Sequence, residues 1–180
     1  MGQKSKIKYY ILAALLLVGL VVFDQWTKLL ASDKLITKPY VLWEGIFEFR
    51  YLENRGSAFG MFQNQIVFLL AVGIVVLGFA LFYFVKLPWN KKMNTLRVLG
   101  VFIAAGGIGN MIDRIRLGYV VDFFYFKLIN FPIFNVADIY VTVSVIVLFV
   151  MILFFFKEDE LEAFSLFKKG RNTESAGKKG

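Results

Sequence analysis

Residues 66–85 read IVFLLAVGIVVLGFALFYFV, twenty positions without a charge. A helix needs about 20 apolar residues to cross a hydrocarbon core of about 30 Å, so this stretch alone is long enough to span a bilayer. Working outward, residues 9–23, 98–112 and 139–156 are also uncharged, over 15, 15 and 18 positions. The shorter runs can span if polar residues at their ends sit just inside the boundary. The expected architecture is a membrane all-α bundle with transmembrane spans at about 9–30, 66–85, 96–112 and 139–156. Segments 31–65 and 113–138 then lie together on one side.

Composition agrees. The 180 residues are 58% hydrophobic and 19% charged, with a mean hydropathy of +0.65. That is more apolar than a soluble domain, so lipid is the expected solvent. One domain over residues 1–167 is expected, since the length leaves no room for two sizeable ones. The Gly-, Lys- and Ser-rich tail, 168–180, is expected to be disordered. Lys4, Lys6 and Lys8 before the first apolar run also suit a secretory signal. Asp24-Gln25-Trp26-Thr27-Lys28 stands where a small-x-small cleavage site would be needed, which favours a retained helix.

An even number of spans puts both termini on one side. That side carries Lys4, Lys6, Lys8, Lys86, Lys91, Lys92, Arg97, Lys157, Lys168, Lys169, Arg171, Lys178 and Lys179, thirteen of the 21 basic residues. Five acids accompany them (Glu158, Asp159, Glu160, Glu162, Glu174), whereas the other side balances eight bases with eight acids. The whole +8 net charge falls on the terminal side, which makes both termini cytoplasmic by the positive-inside rule. Topology accounts for the charge, and no nucleic-acid partner is expected.

The chain has no Cys and no His. Disulfides, thiolate nucleophiles, His-based triads and zinc helices of the H-E-x-x-H type are excluded. Acid–base chemistry would fall to carboxylates, Lys or Tyr, and carboxylates are the first expectation. Outside the bilayer, Phe47-Glu48-Phe49-Arg50-Tyr51-Leu52-Glu53 alternates apolar and charged side chains, the period of a half-buried strand. Residues 119–126 are rich in β-branched and aromatic types. A small sheet resting on the outer membrane surface is expected, its aromatic face toward lipid or substrate.

Rise per residue converts these spans into depths. Fifteen residues at about 1.5 Å lift the chain about 22 Å, bringing Asp24 and Asp113 to the outer boundary. Asp138 starts the last span at the same level. Acids at helix ends can simply be solvated by headgroups, but three at one depth suggest more, because intramembrane ionisable groups tend to mark function. Asp24 can pair with Lys28 four positions on, either holding the first helix in register or contacting substrate. Asp113 and Asp138 read as the reactive pair. Gly106, Gly107 and Gly109 precede the first and permit close approach of another helix; Asn135 and Ala137 precede the second. Two carboxyls forced together cannot both ionise, so one activates a water while the other, protonated, polarises the scissile carbonyl.

At these residues the chain resembles signal peptidase II, the prolipoprotein signal peptidase family. Five ordered patches carry the resemblance from Lys4 to Phe156: residues 24–28 (DQWTK), 54–60 (NRGSAFG), 106–114 (GGIGNMIDR), 121–123 (VDF) and 134–138 (FNVAD). It implies a multi-pass enzyme of the bacterial cytoplasmic membrane, with four helices and an extracytoplasmic β-cradle. Its expected substrate is a diacylglyceryl-modified prolipoprotein, cut before the lipidated cysteine. It implies no metal or cofactor and inhibition by globomycin-type cyclic peptides; membrane lipids are the expected surroundings, and nothing in the sequence requires more than a monomer. On this sequence the dyad falls on Asp113 and Asp138, with Asn54, Gly56, Asn110, Arg114 and Asn135 as substrate-orienting groups. Asn54 can alternatively cap its own turn. Asp122 is read as structural, bonding within its strand. The chain departs from the family at Ile139, where Ser is common, and in a longer stretch between the two acids. The alternative function is a small four-helix transporter or ion pathway lined by acids; a noncatalytic scaffold would leave the glycine–asparagine–acid clusters unexplained.

Overall fold

The computed structural model describes residues 2–57 and 61–156, so the tail 168–180 lies outside the described residues, as do positions 58–60 of the second patch. Four helices are long and apolar enough to cross a membrane: α1 (Gln3–Lys34), α2 (Ile66–Lys86), α3 (Lys91–Leu117) and α4 (Val136–Phe154). α1 and α3 run past their uncharged stretches, because intrahelical hydrogen bonds satisfy the backbone whether its side chains are apolar or polar. Asp113 therefore lies inside α3 instead of just beyond it. α3 starts where the Asn90 side chain accepts a hydrogen bond from Met93 N at 2.9 Å, and stops at Gly118, whose φ of +79° is left-handed.

α3 is the hub. α1, α2 and α4 all pack on it, and its buried face includes Val101, Ala105, Gly106, Gly109 and Asp113. A Cβ at Gly106 would sit 2.5 Å from the Ala137 carbonyl oxygen and 2.7 Å from Val141 Cγ2, so only glycine allows α4 this close. Gly109 likewise admits the Asp24 carboxylate from α1. By contrast α2 buries no residue at all, and Val67 is 82% exposed; its surface is lipid-facing. At the end away from the sheet, buried Arg97 fastens α2 to α3. It donates to the carbonyls of Phe84, Pro88 and Leu87 and lies over the Trp89 ring at 4.0 Å.

The sheet joins β1 (Tyr40–Trp43), β2 (Phe47–Asn54) and β3 (Val120–Phe126), antiparallel in that order. β2 and β3 match the two expected strands. β1 was not expected: its four residues, YVLW, are all exposed and carry no alternation to read. The register sets Phe47 opposite Phe126 and Phe49 opposite Phe124, with ring centroids 4.9 and 5.5 Å apart. Such aromatic pairs stabilise a sheet too small to hold itself together by hydrogen bonds alone. Phe123, Val121, Val136 and Ala31 form the small core between this cradle and the bundle.

Candidate active site

The site forms where α1, α3, β3 and the start of α4 meet. Lys28 is its electrostatic centre, 3% exposed, with Nζ 3.0 Å from Asp24 Oδ2, 3.0 Å from Asp113 Oδ2 and 2.8 Å from Asn110 Oδ1. All three ammonium hydrogens are thereby used. Asp24 accepts a further bond from Ala137 N at 2.9 Å, tying α1 to α4. This is the register-holding role, and the fully buried Asp24 has no surface left for substrate.

Asp113 is not set against Asp138. Its Oδ1 accepts from Gln25 Nε2 at 2.9 Å, while Oδ2 accepts from Lys28 and from Val121 N at 3.2 Å. Three donors hold it inside a closed ionic network, with its charge matched by Lys28. The expected dyad joined Asp113 to Asp138; in the structure helix α3 turns the Asp113 side chain toward α1 and β3, where Gln25, Lys28 and Val121 bond it.

The carboxylate that faces Asp138 is Asp122. It is 1% exposed on β3, where Oδ1 accepts from Asn135 Nδ2 at 2.6 Å and Oδ2 from Asn54 Nδ2 at 2.8 Å. Burial first, and then the negative charge of Asp138, push its pKa up to about 7, against opposing bonds from Asn54 and Asn135 and the charge of Lys28. At neutral pH about half of Asp122 would hold a proton. The bonds of Asp122 run to Asn54 of β2 and to Asn135, outside its own strand. The signal was present: an Asp within the apolar strand Val120–Phe126 cannot reach water on either face of a buried strand.

Asp138 is held by its own helix end. Its Oδ2 accepts from Asn135 N at 3.1 Å while Asn135 Oδ1 accepts from Asp138 N at 3.0 Å, a reciprocal capping box. Its Oδ1 accepts from Asn110 Nδ2 at 2.8 Å. Asn135 thus contacts both acids, bonding Asp122 through its amide and Asp138 through its cap. Asn110 relays Lys28 to the pair, since its Oδ1 accepts from Lys28 and from Asn135 Nδ2 at 3.1 Å.

The loop after β2 is strapped across this group. Asn54 Oδ1 accepts from Gly56 N at 3.0 Å, so Asn54 both caps its turn and reaches Asp122. Arg114 donates to the Gly56 carbonyl at 2.8 Å. A Cβ at Gly56 would stand 2.5 Å from Met61 O, which explains the glycine. Ile139 is 37% exposed, so the missing hydroxyl at that position leaves the bonded network intact. Gln25, bonded to Asp113, escaped sequence reading because an amide in a helix gives no charge or spacing signal. Among the described residues, no group of three or more carboxylates is placed to hold a metal ion.

Four spans with two opposed, amide-held carboxylates at one end define a multi-pass membrane protein with an aspartyl-hydrolase type of centre. The chain belongs to the signal peptidase (SPase) II family, whose model matches residues 16–154. A lipoprotein signal peptidase of Streptococcus thermophilus is 44% identical over 149 residues, covering 82% of this chain and 92% of the relative. One from Caldanaerobacter subterraneus is 45% identical over 145 residues, covering 78% and 96%. Among solved structures, a bacterial membrane enzyme obtained by the in meso method superposes with a TM-score of 0.70 at 29% identity, covering 78% of this chain and 87% of that one.

Proposed function

We propose that this membrane peptidase removes signal peptides from diacylglyceryl-modified prolipoproteins, using Asp122 and Asp138 as its reacting pair. The observation that carries the pair is the placement of buried Asp122 facing half-buried Asp138, each held by an amide (Asn135 or Asn110), beside an Asp113 whose bonding capacity is taken by Lys28, Gln25 and Val121. The ionised member removes a proton from water. The protonated member donates to the scissile carbonyl oxygen as that oxygen gains charge. Proton ownership belongs to the pair, and it reverses when the amine leaves.

The remaining groups position. Lys28, with Asp24 and Asp113, anchors Asn110; Arg114, through Gly56, holds the loop that follows Asn54 at the end of β2. The domain over 1–167 acts as one unit in the bacterial cytoplasmic membrane, with both termini cytoplasmic and the cradle outside. Its depth suits a substrate whose acyl chains fix the scissile bond at the outer boundary, so proximity is gained without extraction. Nothing in the reaction requires a second copy, and a cyclic peptide that spans both acids, of the globomycin type, would inhibit by occupying the same cleft.

The test is turnover of a lipidated peptide by purified variants. Asp122→Asn and Asp138→Asn each lose at least about 10³-fold in kcat while keeping the melting temperature. Asp113→Asn lowers melting temperature along with activity. Normal turnover by Asp122→Asn, with inactivation at unchanged stability by Asp113→Asn, would return the dyad to Asp113.

A further inference from the structure

α2 and α4 both pack on α3, and their seats leave one flank of α3 between them. Gly106 of α3 lies under Ala137 and Val141 of α4, while Gly107 and Met111 meet Leu77 and Gly73 of α2. At about 3.6 residues per turn those seats are about 120° apart around α3. With packed helices roughly 8–10 Å apart, that angle leaves a slot one helix wide. The other flank of α4 is taken by α1, since Asp24 accepts from Ala137 N at 2.9 Å and Tyr140 donates to the Leu20 carbonyl at 3.5 Å.

One stripe of each helix borders the slot. On α3 it is Asn110, Ile103 and Leu96, at intervals of seven; on α4 it is Asp138, Thr142, Val145 and Phe149; on α2 it is Val76 and Tyr83. The two ends differ. At one, Asn110 donates to Asp138 at 2.8 Å. At the other, Leu96 shares a core with Tyr83 of α2 and with Leu148 and Met151 of α4, so the three helices close on one another. Midway, Val76 and Val145 border the same gap yet are 42% and 49% exposed, so neither helix covers the other there.

The slot is apolar, lies among the membrane spans and ends at an acid of the proposed pair. A peptide bond held at Asp138 must lead its preceding residues away through hydrocarbon, where a helix satisfies their backbone. We propose that this slot seats the apolar run of the signal peptide as a helix, and that the core at its far end limits the seated length to about ten residues. From Asp138 to Leu148, α4 rises about 15 Å, the length of about ten helical residues. Signal-peptide apolar runs are roughly 7–15 residues long, so the core discriminates within that range. The inference rests on signal-peptide cleavage as the function and on Asp138 as a reacting acid, but not on which acid is its partner.

The full chain is mixed in detergent with a lipidated peptide whose scissile amide is methylated against cleavage and whose free thiol lies about seven residues before it, level with Val145. On oxidation, Val145→Cys should form the disulfide. Val143→Cys, on the opposite, lipid-facing side of α4 and 52% exposed, should not. With cleavable peptides, Val145→Trp should raise KM about tenfold at unchanged kcat and melting temperature, while Val143→Trp changes neither constant. Lengthening the apolar run from about ten to about fifteen residues should lower kcat/KM about tenfold in the wild type. Equal disulfide yield at both positions, or a KM untouched by Val145→Trp, overturns the seat; a kcat/KM indifferent to length overturns the limit. A selective disulfide with no cleavage by the wild type would instead sink the assigned function and leave the slot as a seat for an apolar helix.

Discussion

Asp122 and Asp138 differ from Asp24 and Asp113 in what faces them. The latter two surround an ammonium; the former face each other and neutral amides. The ammonium makes ion pairs with its two acids, whereas the amides that hold Asp122 and Asp138 carry no charge. The first consequence is a pH dependence. Asp122, raised to about 7, holds in the folded chain a proton that the unfolded chain releases near pH 4. Its contribution to stability is fully present below about pH 4 and disappears as pH rises through about 7. The melting temperature in detergent should therefore fall across that interval, and Asp122→Asn should flatten the fall. If, as proposed, peptidase activity needs one proton on the pair, it should drop above about pH 7 in the wild type. A second consequence concerns Lys28. Lys28→Met leaves two buried carboxylates without their cation, a loss of about 3–5 kcal/mol, read as a lower denaturation midpoint together with reduced turnover.

At the scale of elements, the site depends on how closely α4 approaches α3 and on how α4 begins. Gly106→Val pushes a side chain into the Ala137 carbonyl and should destabilise the bundle by about 1–3 kcal/mol. Activity should fall further than stability predicts, because Asp138 moves with the helix. Much of this was legible. The glycine run before Asp113 signalled a close crossing, and the four apolar runs marked the spans. Which acid faces Asp138 was not legible from depth alone. Helical rise gives the height of Asp113 but not its azimuth, and azimuth decided that it met Lys28. Asp122 was passed over because a strand residue has no depth assignable from helix counting, and the register that brings it beside Asn54 (Leu52 opposite Asp122, with a shift after Phe49) depends on an irregularity no pattern encodes. β1 was hidden for a similar reason: an edge strand exposed on both faces has no period.

At the scale of the molecule, charge asymmetry argues for the proposed orientation, with both termini cytoplasmic and the cradle outside. The absence of Cys makes it directly testable. With single introduced thiols, Glu44→Cys in the β1–β2 turn should react with an impermeant maleimide on intact cells, while Gly2→Cys should react only after lysis. Reaction of Gly2→Cys without lysis would invert the topology and remove the cradle from the substrate side. The same asymmetry explains why Arg97 caps α2 at the end away from the sheet: it adds to the cationic side while satisfying carbonyls that lipid cannot.

The reciprocal cap between Asn135 and Asp138 has one more implication. In the proposed reaction Asp138 trades protons and is also the clasp on the opening coil of its helix, so chemistry and local fastening rise and fall together. When Asp138 is neutral, its grip on the Asn135 amide slackens, and the peptide groups just downstream gain freedom to exchange their hydrogens. The cutting centre thereby carries its own mechanical gauge, readable by isotope uptake at the first coil of α4.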